Sequence, residues 1–420
     1  MADQILAWLE ARLRLLVFCS LTVVAYVAAV SRNQIMPWVI AALMLAGVVV
    51  GVIWPRLLVR SLSVTRLAPD RAEEGETIRL EITVANHGFL PRFMIELVDR
   101  LPFIEATHGE FVSREHTIGV ISYVPGGATR QIAIPVTCAK RGFYRLGPMD
   151  IASGFPLGLV RARQCRESVT RTLTVYPDIF PILELPLQGA PSQIHRGGYL
   201  LPEGVGAAEF SGLREYRRGD SPRHIHWPSS ARHNELMVKE YEPLASACLC
   251  IALDMSADGN LGGGKESTFE YSIRIAGSIA RHGCERKLRT RMLGEGKVRL
   301  DIPAGSGQTQ YQSLLDTLAV IEADGDLPYA RMIHRIAPQA VAGETVVVFL
   351  NTAGNRFAET LQALGMLRAR RVHLLSILFD ARSFGGSGKI TSDQEGALLA
   401  LGVRCIHVRR GDSLLRTFNP

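Results

Sequence analysis

The sequence predicts a multidomain chain: a two-helix transmembrane hairpin, then an antiparallel β-sandwich, then an α/β domain with a mostly parallel sheet. Three observations predict it. Two uncharged runs dominated by Leu, Val, Ala and Ile occupy 15–30 and 35–54. Short apolar–polar alternations separated by turn residues fill 61–177, and from 247 onward apolar strands alternate with helical patterns. The expected divisions are a transmembrane hairpin at 1–60, a sandwich at 61–177, a connector and signature segment at 178–246, and the α/β domain at 247–420. A chain of 420 residues has room for two or three domains, each with its own core.

Each apolar run approaches the roughly 20 residues needed to cross a hydrocarbon core. The second follows the first after only Ser31, Arg32, Asn33 and Gln34, which favours a membrane hairpin over a cleaved signal peptide. Arg12 and Arg14 flank one side and Arg56, Arg60 and Arg66 the other, against Arg32 alone in the turn. Positive charge is retained in the cytoplasm, so both termini and the folded domains are expected there, on a multi-pass membrane protein.

In the sandwich region, Ile78 to Val84 alternates with a strict period of two and ends in the turn signal Asn86-His87-Gly88. Phe93 to Val98, Gln131 to Cys138, Gly142 to Leu146 and Thr172 to Tyr176 repeat the pattern, as expected for an immunoglobulin-like arrangement. Pro177 to Pro202 is a Pro- and Gly-rich connector. Strands then follow at Ala247 to Leu253, Lys287 to Leu293, Lys297 to Ile302, Thr345 to Leu350, Val372 to Phe379 and Val403 to Val408. Helices at Phe269 to Arg281, Gln310 to Ile321, Arg356 to Arg368 and Ser392 to Leu401 alternate with them, which demands mostly parallel pairing with helices on both faces.

Lys and Arg exceed Asp and Glu by 47 to 40, but the surplus clusters near the apolar runs and in 209–242 without an aromatic–basic repeat. That excludes nucleic acid as the expected partner. The seven cysteines are scattered and predict no disulfide framework; Cys248 and Cys250, two apart in a strand, share one face and read as core.

Residues 209–242 crowd charges of both signs, histidines and a tryptophan ahead of an apolar strand. Arg214, Arg217, Arg218, Arg223 and Arg232 suit bidentate contacts to Glu209, Glu215, Asp220, Glu235 or Glu240, with Trp227 covering such a network. Gly219-Asp220-Ser221-Pro222 is a turn sequence. Two readings follow: a clasp between the sandwich and the α/β domain, or a partner-docking surface built from Glu209, Arg214, Tyr216, Asp220, Arg223, Trp227, Arg232, Lys239 and Glu240.

Over about thirty positions without a gap, Glu209, Leu213, Arg214, Tyr216, Gly219, Asp220, Arg223, Trp227, Ala231, Arg232, Lys239, Glu240 and Tyr241 agree with one signature. The segment resembles that of a bacterial membrane-anchored family, number fifty-eight in the domain-of-unknown-function series, typically encoded beside a MoxR-type AAA+ ATPase. The resemblance implies location in the bacterial inner membrane and a MoxR-type ATPase as partner. Asp150 to Leu159 resembles the family's turn in the sandwich, with Ala-Ser-Gly in place of an Asp-Pro-like element.

The C-terminal half is similar to a von Willebrand factor A domain, whose first strand ends in Asp-x-Ser-x-Ser and holds Mg²⁺. The corresponding residues are Asp254, Ser256 and Asp258, with Asp258 in place of the final Ser. Thr309 corresponds to the metal-site threonine, whereas Asn351-Thr352 stands where a later Asp is usual. Hard oxygen donors suit Mg²⁺, and polar capping of a strand-to-helix turn is the competing reading of the same residues.

Two enzymatic readings compete with a non-catalytic scaffold. Gly259 to Lys265 has the spacing of a phosphate-binding loop, with Asp380 as a distant acidic companion, but Glu266 replaces the hydroxyl residue that meets Mg²⁺. His224 and His226 resemble paired metal ligands without further histidines to complete a coordination sphere. No Gly-x-Ser-x-Gly elbow is present, so no catalytic motif is complete. The expected function is a cytoplasm-facing accessory or scaffold protein that docks the ATPase and helps remodel or mature a client. The alternatives are a nucleotide- or metal-dependent hydrolase, or a purely structural envelope-assembly component.

Overall fold

The computed structural model describes residues 2–32, 34–101, 103, 115–166, 170–185, 208–216, 225–233, 235–243, 248–351, 357–386 and 392–419. The chain divides into two compact units, Met1–Asp178 and Ile179–Pro420.

The first unit opens with α1 (Ala2–Arg32) and α2 (Ile35–Leu58). Their stretches Leu13–Ser31 and Ile35–Leu58 are long and apolar enough to cross a membrane. Most of the apolar side chains there lie on the outside, Leu16, Val24 and Leu43 among them, so these are not the core helices of a globular fold. The helices are antiparallel, with the Tyr26 and Trp38 rings edge to face at 5.8 Å.

Among the described residues ten strands follow: β1 (Leu62–Leu67), β2 (Arg71–Glu73), β3 (Thr77–Asn86), β4 (Arg92–Asp99), β5 (His116–Val124), β6 (Thr129–Thr137), β7 (Gly142–Leu146), β8 (Met149–Ser153), β9 (Ala162–Arg166) and β10 (Arg171–Tyr176). They pair as β1-β3-β6, β2-β10-β7 and β5-β4-β8-β9. The alternation read at 78–84 becomes β3, which buries Ile78, Leu80, Ile82 and Val84. One core joins Val64, Ile82, Ile95, Leu97, Met149 and Ile151 to Leu58 and Val59 at the end of α2. A second joins Leu80, Val136, Leu146, Leu173 and Val175 with Phe103.

The second unit begins with an antiparallel ribbon, β11 (Ala208–Glu215) and β12 (Met237–Pro243), in register from Ala208 opposite Pro243 to Glu215 opposite Met237. The short helix α3 (Trp227–His233) stands between them in sequence. The remainder is β13 (Cys248–Leu253), α4 (Thr268–Glu285), β14 (Arg289–Glu295), β15 (Arg299–Gly305), α5 (Gly307–Val320), α6 (Tyr329–Ile336), β16 (Thr345–Asn351), α7 (Phe357–Ala369), β17 (His373–Phe379), α8 (Ser392–Ala400), β18 (Arg404–Val408) and α9 (Leu414–Phe418).

Six strands form one mixed sheet in the order β15-β14-β13-β16-β17-β18, parallel except for β15. Both faces are covered, which explains the continuous apolar runs: Leu249, Ile251 and Leu253 join one core with α4 and α5. Cys250 and Ala252 join the other with α6, α7 and α8. From β13 the chain first moves to β14 and later crosses back to β16, so strand order reverses between β13 and β16. Open α/β sheets bind ligands in the crevice beyond the carboxyl ends of the strands at such a point.

Candidate functional site

Asp254 follows the last residue of β13, and Asn351 is the last residue of β16; together they flank that crevice. The Ser256 backbone N–H donates to Asp254 Oδ1 at 3.0 Å and its hydroxyl donates to the same oxygen at 2.6 Å. This holds carboxylate and hydroxyl side by side. Gly259, in the turn that follows, comes so close that a side-chain carbon there would lie 2.4 Å from Asp254 Oδ2 and 2.5 Å from Ser256 Oγ. The Asn351 side-chain amide donates to Gly259 O and fastens the turn to β16.

From the other side, Gly325 pairs with the same loop: Ala257 N–H donates to Gly325 O and Gly325 N–H to Met255 O, each at 2.9 Å. Here too a side-chain carbon would collide with backbone, at 2.5 Å from Glu295 O.

Tyr329 completes the crevice. Its hydroxyl donates to Ala252 O at 2.6 Å and accepts from Phe349 N–H at 3.2 Å, wedged where β13 and β16 part. Burial, and next the charge of Asp254, push this phenol well above its ordinary range, so it remains a donor. The result is a cleft of about 60 Å³ lined by Asp254, Ser256, Asp258, Tyr329, Asn351 and Thr360 among others.

The structure therefore brings Asp254, Ser256 and Asp258 to one cleft, and it does not bring Thr309 there. β15 runs antiparallel to β14, with Gly305 opposite Thr290, so the chain enters α5 at the amino-terminal end of the parallel strands. Gln310, beside Thr309, donates to Thr290 O at 2.9 Å at that end, and Thr309 itself is exposed. A threonine before a helix was the only sequence signal, and the direction of β15 overturns it. Sequence reasoning missed Tyr329 and Thr360, because α6 is short and neither its first residue, Tyr329, nor Thr360 on α7 carries a motif.

A hard cation fits this cleft in one form. The cradle left by Gly259 sets one carboxylate and one hydroxyl together, and the volume exceeds the space of one water. Among the described residues no group of three or more His, Cys, Asp or Glu stands at metal-ligating range. The direct protein donors would be Asp254 and Ser256, with water completing the shell, as Mg²⁺ tolerates.

The phosphate-loop reading fails on hydrogen bonding. The four amino-terminal N–H groups of α4 are all taken: Thr268 by Leu261 O, Phe269 by Asn260 Oδ1, Glu270 by Ser267 Oγ, and Tyr271 by Ser267 O. None is left to cradle phosphate. Lys265 lies in a 3-10 turn whose next residue, Glu266, accepts from the Tyr271 hydroxyl.

Of the signature, Asp220, Arg223 and His224 lie outside the described residues. Glu209 and Arg214 lie on β11, and Lys239 and Glu240 on β12; Leu213 faces Lys239 and Arg214 faces Val238 across the ribbon. Tyr216 N–H donates to Leu236 O at 2.8 Å, extending the pairing past the end of the strands. His226 Nδ1 bonds Ser229 Oγ at 2.8 Å, so this histidine serves the start of α3. Trp227 is 64% exposed, and Arg232 on the same helix is exposed too.

Burial pushes the Cys250 thiol up to about 12 and the Cys248 thiol to about 11, and Cys250 packs in the core.

Among curated proteins, the chain is 26% identical over 180 residues to "Uncharacterized protein YeaD" of Bacillus subtilis (strain 168), covering 43% of this chain and 38% of that relative. Among solved structures, similarity extends to proximal thread matrix protein 1 of the mussel byssus, at 11% identity and TM-score 0.31, over 42% of this chain and 46% of that one. The manganese-loaded TRAP protein of Plasmodium vivax is 16% identical with TM-score 0.29, over 41% and 71% respectively. A family model described as "Protein of unknown function DUF58" matches residues 212–377, the stretch that runs from β11 through Asp254 and the whole crevice into β17.

Proposed function

We propose that this is a membrane-anchored accessory protein of the bacterial inner membrane that uses the Asp254 crevice to dock a partner, a MoxR-type AAA+ ATPase by the resemblance of the signature. The two units are an immunoglobulin-like sandwich and a von Willebrand factor A-like domain facing the cytoplasm. The strand order and the single antiparallel edge strand support the second assignment; the strand pairs of the first unit, antiparallel except for β10 with β2, support the other.

One observation carries the functional reading. A carboxylate and a hydroxyl share a hydrogen bond of 2.6 Å at the topological switch point, with a glycine keeping the space before them open. Among the described residues no group of three His, Cys, Asp or Glu side chains gathers there, and the pair of oxygen donors is read as a recognition point. Asp254 and Ser256 would hold Mg²⁺, which supplies an electrophilic point for a carboxylate from the partner. Tyr329 and Asn351 fix the two strand ends that carry the site.

Calorimetry of Mg²⁺ and Mn²⁺ against the full chain in lipid nanodiscs, wild type beside Asp254→Ala, tests the cation's part. Binding by the wild type alone supports the reading, and equal heats from both remove Asp254 from it.

A further inference from the structure

Three loops of the first unit gather at the end where α2 enters the strands. The β3–β4 loop is tied to the residues after α2, because His87 N–H donates to Ser61 O at 2.9 Å. Asn86, buried, donates through Nδ2 to Leu90 O at 2.9 Å and to Pro125 O at 3.0 Å, locking the β3–β4 and β5–β6 loops together. The β8–β9 loop joins through the stacked rings of Phe93 and Phe155, 5.3 Å apart.

This end displays apolar groups where a water-facing turn would carry polar ones. Phe89 is 96% exposed, and Leu90, Tyr123 and Leu157 are exposed as well. Large apolar side chains held outward on fixed loops mark an interaction surface.

The register of α1 against α2 says what covers it. A side-chain carbon at Gly47 would lie 3.3 Å from the Phe18 ring and 3.8 Å from Leu157 Cδ1, and one at Gly51 only 2.7 Å from Leu159 Cδ1. Phe18 is therefore level with Gly47. Arg14, one turn earlier on the antiparallel α1, is level with Gly51. Arginines near a span's end reach for the headgroups, so Arg14 marks the polar boundary, and Leu157 lies about 6 Å beyond it toward the hydrocarbon, at 1.5 Å per helical residue. That depth matches the roughly 5–10 Å to which interfacial elements bury an apolar face. Gly158 N–H donates to Gly154 O at 2.8 Å, which satisfies one backbone donor inside the loop as such a position requires.

We infer that the β8–β9 loop, with Phe89 and Leu90 of the neighbouring loop, forms a foot seated in the headgroup–acyl boundary of the same bilayer that holds α1 and α2. The inference rests on the reading of those helices as membrane-spanning. The first unit is then fixed to the membrane by its loops as well as by its tether, which sets the height at which it is carried.

Lipid photocrosslinking on the full chain in phosphatidylethanolamine–phosphatidylglycerol vesicles tests this. A benzophenone side chain replaces Leu157, Phe89, Leu67 or Val24, one at a time, and adducts are identified by mass spectrometry. Leu67 is 65% exposed at the far end of β1, and Val24 is 66% exposed within the first apolar stretch. Lipid adducts at Leu157 and Phe89 several-fold above those at Leu67 are expected. Yields at both no higher than at Leu67, with lipid adducts still present at Val24, overturn the foot while leaving the spanning helices intact. Absence of lipid adducts at Val24 as well overturns the spanning reading on which the foot depends. Adducts from Leu157 to protein instead of lipid assign the surface to a protein partner and overturn the inference.

Discussion

The two ends of the six-stranded sheet are built from similar groups to opposite purposes. At the amino-terminal end, Arg291 Nε and Nη2 donate to the two oxygens of Glu344, each at 2.7 Å, with the carboxylate fully buried. At the carboxyl-terminal end, Asp254 is matched by a hydroxyl and a backbone amide and lines a cleft. A carboxylate closed by a bidentate arginine has its acceptor capacity spent inside the fold. The Asp254 carboxylate instead borders open space, where the proposed ligand would reach it. Location in the fold, not residue type, separates the structural acid from the acid proposed to bind.

The largest expected difference between the ends comes from Glu344→Ala, which leaves Arg291 partly buried without its carboxylate and costs about 3–5 kcal/mol. Urea denaturation of the full chain measures it, and a loss no larger than for Asp254→Asn would erase the contrast.

Gly259→Val comes next, because its side chain must enter the space of Asp254 and Ser256. Overpacking of this kind costs about 1–3 kcal/mol and should abolish Mn²⁺ binding in calorimetry. Tyr329→Phe removes a donor and an acceptor from buried Ala252 O and Phe349 N–H, for about 1–3 kcal/mol. The thermal midpoint should fall, with weakened cation affinity following from loosened strand ends.

Acid sharpens a second contrast, between the units. In the first, hydrogen bonds from Arg163 and then Arg100 hold the Glu115 carboxyl down at about 2. A depressed carboxylate adds stability above its unfolded value, here 4.5, and that stability is lost as pH falls toward 2. Because the arginines are largely exposed, the gain is about 1 kcal/mol.

In the second unit, burial lowers the pKa of His282, whose Nδ1 donates to Ile182 O at 2.8 Å. The fold favours neutral imidazole, so its contribution is complete above 6.5 and declines as pH falls below that value. Hydrogen exchange near Ile182 should therefore quicken at milder acidity than exchange around Glu115. The reverse order would break the assignment.

Much of this architecture was legible in the sequence. The strands of the α/β region and the two apolar helices follow from periodicity and composition, because burial on both faces imposes continuous apolar runs on the strands; Asp254 with Ser256 at a strand's end follows from the resemblance to a von Willebrand factor A domain. What the sequence hid depends on direction and distance in space. Thr309 is matched to the site on residue type alone, although the three residues between the strands at 287–293 and 297–302 leave room only for an antiparallel hairpin. Tyr329 was overlooked because its role is set by two strands that lie 77 and 20 residues away in sequence. The β11–β12 ribbon reads in the sequence as a charged signature without strands, since its charged residues interrupt the apolar–polar alternation.

The most direct test of the central claim is capture of a MoxR-type ATPase, the proposed partner, by the full chain in nanodiscs, with and without Mg²⁺, comparing wild type with Asp254→Asn. The account predicts Mg²⁺-dependent capture by the wild type and none by the variant, at unchanged thermal midpoint. Equal capture by both proteins, or no capture by either, would contradict docking through the Asp254 crevice.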